Sequence, residues 1–249
     1  MEEQTIQPES MGEIGRLTGI IWEPKPVFEN LAARPRWWAP IILLTIMSIV
    51  FVTAFSRRVG IDTFMRQQMD RQAQSNPRIA QLSPEQRDRA LGMTMAITKY
   101  AMYGGAVLGM AFSCLLVAAL MLGIMNGLGG AGLKYKQAFS ITSYSFMPSM
   151  ISSVLALAVM FLKNPEDFDL QHPLPTNLGA FLSAQTTPKW LQGLAGSIDL
   201  FSFWIMLLMA LGFSVAARRM SFAKAFTLVL MPWALYVLIF KVALAGLQG

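Results

Sequence analysis

Within an apolar run long enough to cross a bilayer, residues 143–150 read SYSFMPSM, placing three serines, a tyrosine and a proline where lipid would be the solvent. Pro148 removes its own amide, and its ring collides with the carbonyl of Tyr144, so the helix is expected to kink there and leave that carbonyl short of a donor. Nearby hydroxyls or a neighbouring helix must then satisfy it. Ser145, Ser149 and Ser153 recur every four residues, which puts them on one helical face. Two chemistries fit this constellation of Tyr144, Ser145, Pro148, Ser149 and Ser153. One is close packing of helices through small polar residues; the other is a polar cavity at the kink for a lipid headgroup or small solute.

Other reactive residue types are sparse. The single histidine, His172, sits in LQHPLP, which excludes a two-histidine zinc motif and leaves one candidate base. The single cysteine, Cys114, lies inside an apolar run, so no internal disulfide or cysteine metal site can form. The chain contains no GxSxG elbow and no glycine-rich phosphate loop. Neither catalysis nor a cofactor or metal is expected. Asp199, at the start of an apolar run, suits the positive end of a helix dipole with Ser197 as cap; a place on a proton or ion path is the alternative. Lys241, near the end of another run, is expected to snorkel.

The elements that must carry these residues follow from composition. The 249 residues are 54% hydrophobic and 14% charged, too apolar for a soluble domain of this length. Five spans meet the criterion of about 20 apolar residues for a ~30 Å hydrocarbon core: about 37–55, 100–128, 139–162, 200–217 and 222–247. All should be helical, because an open strand would leave unpaired backbone groups in lipid. The expected fold is thus all-α, a polytopic bundle of five transmembrane helices spanning residues 37–249, with residues 1–36 as a cytoplasmic tail and interfacial foot.

In that foot Met11, Ile14, Leu17 and Ile21 recur at helical spacing, and WEPKPVF starts a second short helix with prolines in its first turn. PRWWAP supplies the aromatic and cationic belt expected where a span begins. The polar, acidic N-terminus lacks the cationic and apolar regions of a signal peptide, so the first span should remain as an anchor. A net charge of +6 without a dense basic tract points to anionic lipid headgroups and away from nucleic acid.

Arg16, Lys25, Arg34, Arg36, Lys134, Lys136, Arg218, Arg219 and Lys224 all fall on one side of a five-span topology, whereas Glu166, Asp167 and Asp169 dominate an opposite loop. That distribution favours a cytoplasmic N-terminus and an external C-terminus in a cell (inner) membrane. Residues 57–97 resist it: Arg57, Arg58, Arg66, Arg71, Arg78, Arg87 and Arg89 lie on the external side. The same segment reads as two helices separated by Asn76-Pro77, the second begun by Ser83-Pro84-Glu85 and able to run into the second span. It is expected to form an external helical segment, or else a solvated spacer.

For packing, Gly105, Gly109 and Ser113, then Gly123 and Gly127, form small-residue rows on the second span to receive the serine face of the third. A weak internal repeat, KQAFSITSYSFMP against AKAFTLVLMP, pairs Pro148 with Pro232 and suggests equivalent proline-broken helices in the third and fifth spans.

Taken in order, these motifs resemble the Yip domain, the Ypt/Rab-interacting-protein family, in its bacterial form. SYSFMP is similar to the family's Tyr-x-x-x-Pro signature, here Tyr144 and Pro148. SIDLFSFWIMLLMALGFSVAARRMSFAKAF is similar to an Asp-Leu-Phe, Trp and Gly pattern, carried by Asp199, Trp204 and Gly212, with Pro232 beyond it. The resemblance implies a five-helix bundle with a cytosolic N-terminus and no catalytic activity. Two functions are therefore carried forward. One is a non-enzymatic organiser of membrane proteins or lipids, partnered by membrane lipids, other membrane proteins or a second copy. The other is a small transporter, or a transporter's membrane subunit, using the proline-broken helices.

Overall fold

The computed structural model describes residues 11–75, 79, 81–170, 172–183, 186–217 and 219–243. Asn76-Pro77, Arg218 and the last residues of the expected fifth span lie outside them. The elements are α1 (Glu13–Trp22), α2 (Pro24–Ala33), α3 (Trp38–Arg58), α4 (Ile61–Ser75), α5 (Pro84–Gly127), α6 (Tyr135–Ser145), α7 (Pro148–Leu162), α8 (Lys189–Ser197), α9 (Leu200–Ala216) and α10 (Phe222–Tyr236). A π-helical stretch, Val237–Ala243, continues α10. The described residues contain no strand, only an isolated bridge between Asn177 and Asp199.

Among the described residues, four segments are long and apolar enough to cross a membrane: α3, α5, α6 with α7 taken together, and α10 with its π-helical extension. α9 is apolar but only 17 residues long, about 25 Å at 1.5 Å per residue, shorter than the hydrocarbon core. α5 runs unbroken for 44 residues, about 66 Å. Its length exceeds any bilayer, so the helix begun at Ser83 continues directly into the second apolar run. Ser83 and Gln86 cap it reciprocally: Gln86 N–H donates to Ser83 Oγ at 3.3 Å and Ser83 N–H donates to Gln86 Oε1 at 3.0 Å.

The chain forms two compact units. The first draws its described residues from Met1–Leu44, Ala111–Ser152 and Pro175–Gly249. At its centre α9 packs on α2, α6 and α10. Val27, Phe28 and Leu31 of α2 and Ala210 and Phe213 of α9 are wholly or almost wholly buried there. The second unit takes Thr45–Met110 and Ser153–Leu174. Its core gathers Phe55, Val59, Met160 and Phe168, with Phe64 edge-on to Phe55 at 5.7 Å between centroids. An ion pair between Arg66 and Asp88 at 3.2 Å ties α4 to α5, and Gln67 Nε2 donates to the Glu166 carbonyl at 2.8 Å.

In α1 the apolar stripe stays outward, and the residues turned inward are others. Of the stripe Met11, Ile14, Leu17 and Ile21, none is fully buried, and Ile14 is 79% exposed. Arg16 and Ile20 are buried instead. A charged residue turned inward gains nothing from apolar patterning, so its position must come from specific partners.

Candidate functional site

The third apolar run breaks where its proline requires. α6 ends at Ser145, Phe146 and Met147 form a turn, and α7 starts at Pro148. The Tyr144 carbonyl is not orphaned, because the Met147 N–H reaches it at 3.1 Å in a tighter i→i−3 bond. Ser149 and Met150 N–H repeat this pattern to Phe146 and Met147. Tightening costs the serine row its register: Ser145 is fully buried, whereas Ser149 and Ser153 are only partly so.

The hydroxyls of this run turn back onto their own helix. Ser140, Ser143 and Ser145 donate to the carbonyls of Lys136, Phe139 and Ile141 at 2.7–2.8 Å. Ser149 donates to Phe146 at 2.6 Å. Such back-bonding satisfies a hydroxyl without a partner helix and bends the helix that carries it. Thr142 differs, since its buried Oγ1 has no hydrogen-bond partner among the described residues.

Tyr144 turns outward from its helix to a partner 131 residues away. Its hydroxyl donates to Glu13 Oε2 at 2.8 Å. Glu13 Oε1 accepts from Arg16 Nη1 at 2.9 Å and from Arg36 Nη1 at 3.2 Å. The rest of the Arg16 guanidinium closes on Asn30, Nε and Nη2 both donating to Oδ1 at 2.9 and 2.6 Å. Tyr144, Arg16 and Asn30 are 0%, 2% and 3% exposed. The first unit therefore carries a charge-assisted network, buried at Tyr144, Arg16 and Asn30 and open to the surface at Arg36, joining α1, α2 and the broken third run. Gln137 adds a second tie, accepting from Lys134 N–H to cap α6 and donating to the Ala32 carbonyl at the end of α2, both at 3.0 Å.

Chemically this network is a latch. Three donors, two guanidiniums and a phenol, converge on one carboxylate, an arrangement that ties the elements carrying them together. The sequence motifs point to Tyr144 and Pro148, but they place Arg16 only among the cations of the expected cytoplasmic side and single out neither Glu13 nor Asn30. The only local signal was an acid and a base at i, i+3 inside an otherwise apolar ten-residue helix.

Within either unit the glycine rows meet no close neighbour. A Cβ built at Gly105, Gly109, Gly123 or Gly127 meets nothing within 4 Å, and Ser113 is exposed. In the first unit α5 buries Cys114, Ala118, Met121 and Met125. Cys114 stands nine residues from both Gly105 and Gly123. At 100° per residue that spacing is half a turn, so burying the Cys114 face turns both glycine rows away from it. Close approach occurs at Gly212 instead, where a Cβ would lie 2.5 Å from Ile141 Cγ2 and 2.8 Å from the Phe28 ring.

Asp199 caps α9 itself. It accepts from Ser202 N–H at 2.9 Å and from the Thr176 hydroxyl at 2.6 Å, while Ser197, the expected cap, donates to the Gly193 carbonyl. Asp199→Ala should cost about 1 kcal/mol, the usual loss for an N-cap, visible as a lower melting temperature by tryptophan fluorescence in nanodiscs. An unchanged temperature would deny the cap its role. Trp204 stacks on Phe201 at 6.4 Å. Pro232 lies inside α10 without ending it, so the fifth run differs from the third, widening into π-helix only at Val237.

The Yip1 domain family model matches residues 18–244. The chain is also 26% identical over 197 residues to "Membrane protein YknW" of Bacillus subtilis (strain 168), covering 79% of this chain and 76% of that protein. No solved structure matches it significantly.

Proposed function

The chain belongs to the Yip1 domain family of membrane proteins, and from that premise we propose that it is a non-enzymatic organiser of membrane proteins or lipids. In this reading α9 is a short fourth span that brings the total to five, the N-terminus is cytoplasmic and the C-terminus external, in the cell (inner) membrane. The observation that carries the proposal is the latch. It commits Tyr144 and Gln137 of the third span to holding α1 and α2, while the serines of that run bond their own helix, which favours a preset docking platform over a substrate site. Ile14 and Trp22 on α1 are left 79% and 83% exposed, an outward face that suits the headgroup region.

A second reading, a small transporter or a transporter's membrane subunit, draws on the break at Phe146–Met147 and the π-helical stretch after Pro232. Interrupted helices line substrate sites in many transporters, and π-helical turns recur at functional positions.

Native mass spectrometry of the intact assembly, released from native lipid patches, tests both. Excess mass from a second polypeptide, or from a further copy of this chain, supports the organiser. A discrete lipid or solute that is lost on Tyr144→Phe with Ser149→Ala, with the fold intact, overturns it in favour of transport through the broken helix. A bare monomer carrying neither overturns both.

A further inference from the structure

A cavity in the second unit shares no residue with the latch and offers different chemistry. It holds about 510 Å³ and runs along three successive turns of α3 toward Phe161 of α7. Ile49 and Val50 line one end, Thr53 and Ala54 the middle, and Arg57 and Arg58 the other end. The groove thus grades from apolar to cationic along the helix axis, and its cationic end is the last turn of a span, at headgroup depth.

Both arginines are exposed, and among the described residues neither is paired with a carboxylate. Arg58 reaches only the Lys163 carbonyl at 3.4 Å. The two arginines are among the cations that oppose the charge asymmetry of the remaining loops, so an anion from outside the chain is the natural counter-charge.

We propose that this groove binds one anionic phospholipid, its phosphate held by Arg57 and Arg58 and an acyl chain laid along Ile49, Val50 and Phe161. A guanidinium pair presents planar, multidentate donors suited to phosphate oxygens. A free anion would gain nothing from the apolar wall, whereas a lipid uses both ends. The site is independent of the latch and of the orientation of the chain in the membrane.

The test titrates the full chain, purified in detergent, with phosphatidylglycerol or phosphatidylcholine and counts bound lipids by native mass spectrometry. Wild type is expected to retain phosphatidylglycerol preferentially. Arg57→Gln with Arg58→Gln should weaken that retention about ten-fold or more, as loss of charge-assisted bonds implies. Val50→Trp, which fills the apolar end and keeps both charges, should also weaken it, and decides the matter if the double variant fails to fold. Equal retention of the two lipids by wild type, or retention unchanged in Val50→Trp, overturns the proposal. Displacement of the lipid by millimolar inorganic phosphate also overturns it, reducing the site to a general anion patch.

Discussion

Glu13→Ala is expected to release α1 and α2 from the first unit and to lower its stability by about 3–5 kcal/mol, the typical cost of removing one partner from a buried ion pair. The size follows from what remains. Arg16 keeps Asn30 but loses the carboxylate, with its side chain only 3% exposed, and the Tyr144 hydroxyl loses its acceptor. Hydrogen exchange across residues 13–33 in nanodiscs reads this directly, because unlatched helices lose protection before the spans do. Tyr144→Phe removes one charge-assisted bond and should cost less, about 1.5–3 kcal/mol. Replacing Glu13 and Arg16 together by Leu and Met should recover most of the loss, since an apolar pair avoids the desolvation of both charges. Undiminished protection in Glu13→Ala would show that the apolar contacts of α2 hold these helices without the latch.

Gly212→Leu carries the second large effect. α9 meets α6 and α2 at this residue with no room for a side chain, since Ile141 and Phe28 already occupy the positions a Cβ and its substituents would need. Phe28 is fully buried and cannot swing into solvent. Overpacking a core costs about 1–3 kcal/mol for added methylenes, and the leucine variant should fall at or above the top of that range. Gly212→Ala should fall between it and wild type, and Phe28→Leu should partly rescue the leucine variant. Melting curves of the four proteins in one detergent check the order. A leucine variant that melts with wild type would mean that α9 is not seated as described.

Both effects sit where sequence reading was weakest. It marked Gly212 through family resemblance alone, with no physical role, and it left Glu13 and Asn30 unmarked. It also assigned close packing to Gly105, Gly109, Gly123 and Gly127, which the fold leaves open. A span that is apolar all round carries no amphipathic signal, because lipid and protein interior are about equally apolar. Small-residue spacing alone cannot say which side of such a helix another helix will choose.

Local physics made the rest legible. Apolar runs of bilayer length, the cap at Ser83 and the interruption at Pro148 each depend on a few neighbouring residues, so the sequence by itself determined an all-helical membrane protein with a broken third run. Tertiary structure alone decided that Glu13 meets Tyr144 across 131 residues, that Gly212 admits α2 and α6, and that Arg57 and Arg58 stand at the head of an apolar groove. Each of these joins segments far apart in the chain, and their contacts are selected by packing and pairing after the helices exist, which no local rule encodes.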